Sequence, residues 1–279
     1  MATIGTIASG AYERTIRQVQ KAQDYKGYVQ VVNQPGAGFA EAVDLEKDFV
    51  DLSLVSPRDS YRGPRLGTGE DDIKEELLDV YNFDFSNNAI LYKKENGKYI
   101  DFQLNSAGNY ARFHVVSLLE RLRATKEQAP LKSIILGCTH YPFYLDTIKK
   151  VITELREYKK NGKFVYAPLI SDDFTFIDPA KFTALECCKI LREEHLMALR
   201  TRRGNVDAFI SVPSYGVDNS NLEDNGALKH DFKYGREIGT EEVTTVVVPF
   251  SRHNLNPDNL RRLEVLVPRT FSKIKDKLD

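Results

Sequence analysis

Gly137-Cys138-Thr139-His140-Tyr141-Pro142 concentrates more reactive groups than any other stretch of this chain. A thiol, a hydroxyl and an imidazole fall on consecutive residues, just after the apolar run Leu131-Lys132-Ser133-Ile134-Ile135-Leu136 and just before a proline suited to a first helical turn. A buried parallel strand ending there puts Cys138 at the carboxyl edge of a sheet, where open α/β sheets bind their ligands. The positive end of the following helix and the neighbouring imidazole both favour thiolate over thiol, so Cys138 reads as a base or nucleophile and His140 as its partner. Thr139, with the first free backbone N–H groups of that helix, is placed to hold a substrate carboxylate. The competing reading is a small buried cysteine whose Thr and His neighbours merely cap a helix.

The elements that must hold this motif alternate between helix and strand. Ser9 reads as an N-cap for an amphipathic helix to about Ala22, with Tyr12, Ile16 and Val19 on one stripe, followed by a short buried strand at Tyr28–Val32. From about 45 to 105 the periodicity fades, apart from helical spacing over Asp71–Tyr81 and a β-hairpin signal, Asn96-Gly97 between Ala89–Lys94 and Tyr99–Leu104. A hairpin is foreign to a parallel sheet, so 45–105 reads as an insertion. Ser106 to about Lys126 is a strong helix with Tyr110, Phe113, Val116, Leu119 and Leu122 on one face, and a further helix runs from Pro142 through Leu155. Short strands are expected at Phe164–Tyr166 and Thr175–Ile177, a helix from Asp178-Pro179 to about Arg200, strands at Ala208–Val212 and Val243–Phe250, and a closing helix over Pro257–Ile274. The expected fold is α/β, a mostly parallel sheet with helices on both faces, in a main domain near 1–175 followed by a less regular part over 176–279.

Composition narrows the function classes without choosing one. A chain of 279 residues, 42% hydrophobic and 28% charged, is neither disordered nor a disulfide-stapled miniprotein. The net charge of -1 supplies no electrostatic excess to draw the chain to nucleic acid. Three cysteines without paired spacing, no signal-like N-terminus and no long apolar run point to a reduced, cytoplasmic protein off the membrane.

Other residues of interest take plainer readings. Cys187 and Cys188 fall mid-helix, about 100° apart at 3.6 residues per turn, and read as buried structural cysteines. His195 reads as a solvated helix-end imidazole and His114 as a core histidine with its hydrogen bonds satisfied. His230 and His253 have no partner at metal-ligand spacing, so no metal is expected. Gly36-Ala37-Gly38 lacks the rest of a dinucleotide fingerprint and reads as a turn, and Arg200-Thr201-Arg202-Arg203 as a solvated helix end.

The segment Ile135-Leu136-Gly137-Cys138-Thr139-His140-Tyr141-Pro142 resembles the second cysteine motif of glutamate racemases, members of the aspartate/glutamate racemase family. The opening Gly5-Thr6-Ile7-Ala8-Ser9-Gly10-Ala11-Tyr12-Glu13-Arg14 is similar to the start of the second domain in that family, and Phe176-Ile177-Asp178-Pro179 with Ala184-Leu185-Glu186 is more weakly similar to the stretch after the second cysteine. These motifs cover about 1–22 and 131–190. The resemblance implies the fold of a racemase second domain, to which the hairpin is an insertion without a counterpart, and a cofactor-independent interconversion of L- and D-glutamate, supplying a peptidoglycan precursor for the cell wall. By it, Cys138 is one acid/base, His140 assists it, and Thr139 and Thr6 contact a glutamate or another small acidic amino acid.

Racemases of this family carry a first half with Asp-Ser-Gly, Pro-Tyr-Gly and Ala-Cys-Asn-Thr motifs, the last holding the first catalytic cysteine, and none of the three occurs here. The expectation is a chain resembling a second domain, weakly active or inactive alone, whose partner is a missing N-terminal half or another copy of itself. The alternative expectation is a non-catalytic binding module on the same scaffold, with the hairpin and the polar stretch 214–239 as its partner surface. A cysteine hydrolase ranks last, because its histidine is normally distant in sequence from the cysteine.

Overall fold

The computed structural model describes residues 1–5, 11–125, 129–198, 206–224, 226–235, 244–255 and 257–278. The chain divides into two compact units, Met1–Glu194 and His195–Asp279. The first holds β1 (Ala2–Gly5), α1 (Ala11–Ala22), β2 (Val32–Pro35), α2 (Phe39–Val43), α3 (Leu78–Tyr81), β3 (Ile90–Glu95), β4 (Lys98–Leu104), α4 (Ala107–Ala124), β5 (Leu131–Gly137), α5 (Leu145–Glu157), β6 (Lys159–Lys160), β7 (Lys163–Phe164), β8 (Ile170–Ile177) and α6 (Pro179–Glu193).

The main sheet has four parallel strands in the order β2-β1-β5-β8 and is flanked by helices, as the helix-to-strand alternation predicts. β1 runs in register with both neighbours: Ile4 faces Gln34 and Leu136, and Gly5 faces Pro35 and Gly137. All four strands therefore end at one edge, which carries the segments after Gly5, Pro35, Gly137 and Ile177. β2 begins later than its sequence suggests. Pairing with Met1–Gly5 selects Val32–Pro35, and Tyr28, the first residue of the run that suggests a strand, is exposed.

α4 is the hub of the unit. Ser106 caps it by accepting from the Asn109 N–H, and the buried residues include Tyr110, Ala111, Phe113, Val115, Val116, Leu118 and Leu119. Burial on every side, rather than along one stripe, follows from its neighbours: β1 and β2, α5, and also α2, α3 and β4. The 45–105 stretch is thus part of the core, contributing Phe49, Tyr61, Ile73, Tyr81, Phe83 and Phe102. Within it the expected hairpin forms, β3 against β4, with Asn96 (φ 49°) and Gly97 (φ 81°) supplying the two left-handed residues of its turn. The helix expected over Asp71–Tyr81 contracts to a 3-10 turn at Glu75–Leu77 and α3. Arg112 of α4 donates two hydrogen bonds to Glu154 of α5, at 2.6 and 3.2 Å.

After α5 the chain makes a small antiparallel pair, β6 with β7, in place of a strand at Phe164–Tyr166. β8 is longer than the expected Thr175–Ile177, and Asp178 caps α6 by accepting from the Ala180 N–H. α6 ends at Glu193, well short of Arg200, and none of its residues is buried.

The second unit contains β9 (Phe209–Pro213), α7 (His230–Tyr234), β10 (Thr245–Pro249), α8 (Pro257–Leu266) and α9 (Pro268–Ile274). β9 and β10 pair antiparallel, and Pro268 splits the expected closing helix in two. No described helix is long and apolar enough to cross a membrane.

Candidate active site

Cys138 follows β5 directly at the carboxyl edge of the sheet, partly buried, and Thr139 beside it is exposed. Gly137 is required there: a Cβ would lie 2.8 Å from the Ile4 carbonyl oxygen and 2.9 Å from the Tyr12 ring. α5 does not begin at Pro142. A 3-10 turn over Tyr141–Tyr144 intervenes, so the imidazole rather than the end of a regular helix is the group in contact with the thiol.

The Cys138 sulfur lies 3.2 Å from His140 Nδ1, and His140 Nε2 lies 3.1 Å from Asp44 Oδ2. The carboxylate accepts from Nε2–H, which leaves the Nδ1 lone pair facing the sulfur. Three residues thus form a relay whose geometry places His140 to accept the thiol proton, with Asp44 fixing its tautomer. His140 is partly buried and Asp44 exposed, so the relay opens to solvent and to a ligand.

Asp44 caps the C-terminal end of α2 and is invisible as a site residue in the sequence, because a five-residue helix is too short to show periodicity. The available signal is positional: an acidic residue shortly after a strand that ends at the same sheet edge as Cys138. Between β2 and α2 lies the turn Gly36-Ala37-Gly38. Gly38 has φ 76°, and a Cβ on Gly36 would fall 1.9 Å from the Tyr141 hydroxyl, so both positions need glycine. Tyr141 donates to the Gly36 carbonyl at 3.3 Å and stacks on Phe39 with ring centres 4.5 Å apart.

His114 is the satisfied core histidine that its place on α4 suggests. It is buried, its Nε2 lies 3.1 Å from the Ala37 carbonyl and its Nδ1 3.3 Å from the Gln34 amide nitrogen. Burial, more than offsetting the backbone hydrogen bonds, lowers its pKa to about 4, so the ring is neutral at physiological pH.

The remaining candidates separate from this site. Thr6 and the Ser9 cap lie outside the described residues, as do Arg200-Thr201-Arg202-Arg203. Cys187 and Cys188 are exposed on α6, which corrects their reading as buried cysteines: the helix has no packed face to bury them in. His195 and His253 are exposed. Among the described residues no three His, Cys, Asp or Glu side chains come together as metal ligands.

No described protein family matches the chain, and neither does any curated protein. Fold and site together define a class: an α/β protein whose parallel sheet carries a Cys-His-Asp relay at its carboxyl edge.

Proposed function

We propose that the chain is a glutamate racemase-like protein that performs cofactor-independent proton transfer at the α-carbon of glutamate or another small acidic amino acid. The observation that carries this reading is the Cys138–His140–Asp44 relay at the carboxyl edge of a parallel sheet. His140 accepts the thiol proton, and the resulting thiolate removes an α-proton from one face of the substrate. The α-proton is weakly acidic, and general-base action supplies only about 10²–10⁴-fold, so donors for the developing carbanion are also needed. Thr139, exposed beside Cys138, is the nearest side-chain candidate along the chain, since the Tyr141 and Phe143 N–H groups already donate to the Cys138 and His140 carbonyls.

Inversion requires an acid on the opposite face. The other two cysteines, Cys187 and Cys188, are exposed on α6, and we take the second acid/base to be supplied by another polypeptide or a second copy. Alone, the chain is expected to exchange the α-proton of one enantiomer without inverting it. The test is NMR of L- and D-glutamate and aspartate in deuterium oxide, with Cys138→Ser as control. Cys138-dependent deuterium incorporation supports the reading; silence with all four amino acids sinks it, and full inversion sinks the one-sided site.

A second reading, a non-catalytic binding module on the same scaffold, is favoured by α6. Phe182, Leu185 and Ile190 there are each about half exposed. Self-association that Phe182→Ser with Leu185→Ser abolishes, without any exchange activity, would move the assignment to this reading.

A further inference from the structure

We infer that His114 is a positioning residue for the Cys138–His140–Asp44 relay, holding the turn from which the Asp44-bearing helix departs. Asp44 stands at the end of α2, and five helical residues are too few to keep a direction by themselves. The direction is set where α2 begins. The Gly36-Ala37-Gly38 turn has only one Cβ of its own, so other side chains brace it through its carbonyls: Tyr141 bonds Gly36 and His114 bonds Ala37. Phe39, the first residue of α2, stacks on Tyr141 at 4.5 Å and on the His114 ring at 5.9 Å. α2 is therefore tied on one side to the cysteine loop and on the other to the buried hub helix α4.

The tie to α4 depends on one tautomer. The Ala37 carbonyl requires a proton on Nε2, and the Gln34 amide, donating to Nδ1, requires a lone pair there. Gln34 is itself buried, its amide also donates to the Pro35 carbonyl at 3.0 Å, and its Oε1 has no partner among the described residues, so the amide is committed to this orientation at some cost. A neutral, oriented imidazole in the core thus fixes a backbone turn, the turn fixes α2, and α2 delivers Asp44 to His140.

This rests on the relay geometry described above and not on which substrate the relay serves, so the test reads the thiol. In the full chain with Cys187→Ser and Cys188→Ser, Cys138 is the one remaining thiol, and its alkylation by iodoacetamide is followed against pH. Asp44→Asn and His114→Asn are each expected to slow alkylation at neutral pH about tenfold, since asparagine is too short to donate to Ala37. His114→Gln, whose amide nitrogen occupies the place of Nε2, is expected to restore most of the rate. The double variant Asp44→Asn/His114→Asn is expected to be no slower than Asp44→Asn alone, because His114 acts only through Asp44. An unchanged rate in His114→Asn, or multiplied losses in the double variant, would overturn the inference. Nitrogen-15 spectra of histidine in the wild-type chain give a measurement that needs no variant: His114 should be protonated on Nε2, and protonation on Nδ1 would rule the tie to Ala37 out. Silent glutamate exchange with this alkylation pattern intact would strike the proposed function alone.

Discussion

The chain carries its cysteines in two settings that differ in nearly everything but side-chain chemistry. Cys138 stands directly after a buried strand, with an imidazole against its sulfur and a carboxylate behind the imidazole. Cys187 and Cys188 stand on α6, whose residues are all at least partly exposed. A thiol becomes a functional group through what surrounds it, and that surrounding has to be held by a core. The core holds Cys138 through Gly137, packed against Ile4 and Tyr12, and holds Asp44 through a turn braced by Tyr141 and His114. Among the described residues, none of those on α6 is buried, so its cysteines lack such a surrounding.

The sharpest way to break this comparison is kinetic. Peptide mapping after limited alkylation at neutral pH should show Cys138 modified at least about tenfold faster than Cys187 or Cys188 despite its lower exposure; equal rates would mean that the relay does not activate the thiol. Next in size is the acid response of the core beneath the site. The His114 pKa is depressed below its ordinary value, so the unfolded chain takes up a proton before the native chain does. Stability is therefore full above about pH 6.5, where the unfolded histidine is also neutral, and falls by roughly 3 kcal/mol on the way down to the folded value near 4. Urea titrations across that interval measure it, and His114→Gln should flatten that part of the slope.

Gly137→Ala should cost about 2–3 kcal/mol, because the added methyl meets a backbone oxygen that cannot move without disturbing the β1–β5 register. Glu154→Gln, which weakens the partner of the largely buried Arg112, should cost about 2 kcal/mol by thermal unfolding. Glu154 is held below the usual carboxylate range, chiefly by its bond to Arg112. Its contribution is accordingly present above its ordinary pKa and lost as pH falls through the lowered one. The smallest effect belongs to α6, where Leu185→Ala should change stability by less than about 0.5 kcal/mol. A loss of 2 kcal/mol there would show that α6 is covered in solution and would erase the contrast with Cys138.

Sequence made parts of this comparison legible and hid others for identifiable reasons. β5, the motif after it, the Asn96-Gly97 hairpin and α4 were readable because each is contiguous and follows a single period. Cys138 and His140, two positions apart, came with β5. Asp44 did not, since its role depends on a contact across the sheet edge and its own helix is one turn long. Residues 45–105 looked like an added surface because their core side chains, such as Phe49, Tyr61 and Ile73, are presented mostly from irregular backbone that carries no period. The general tendency of free cysteine to be buried suggests burial for Cys187 and Cys188, but that tendency says nothing of whether this particular helix has anything packed over it.

The strand order has a consequence for how the chain comes into being. Asp44 and His140 meet across 96 positions, and β1 must wait for β5, made far later, before its second edge is paired. Long loops of that kind close slowly, since the chain entropy is surrendered before the contacts repay it. During synthesis, Asp44 and α2 leave the ribosome well before Cys138, and the thiol is an ordinary one until β5 has docked beside β1. The faster alkylation expected of the assembled relay would therefore time the docking of β5 beside β1 in a nascent or refolding chain, without any knowledge of its substrate.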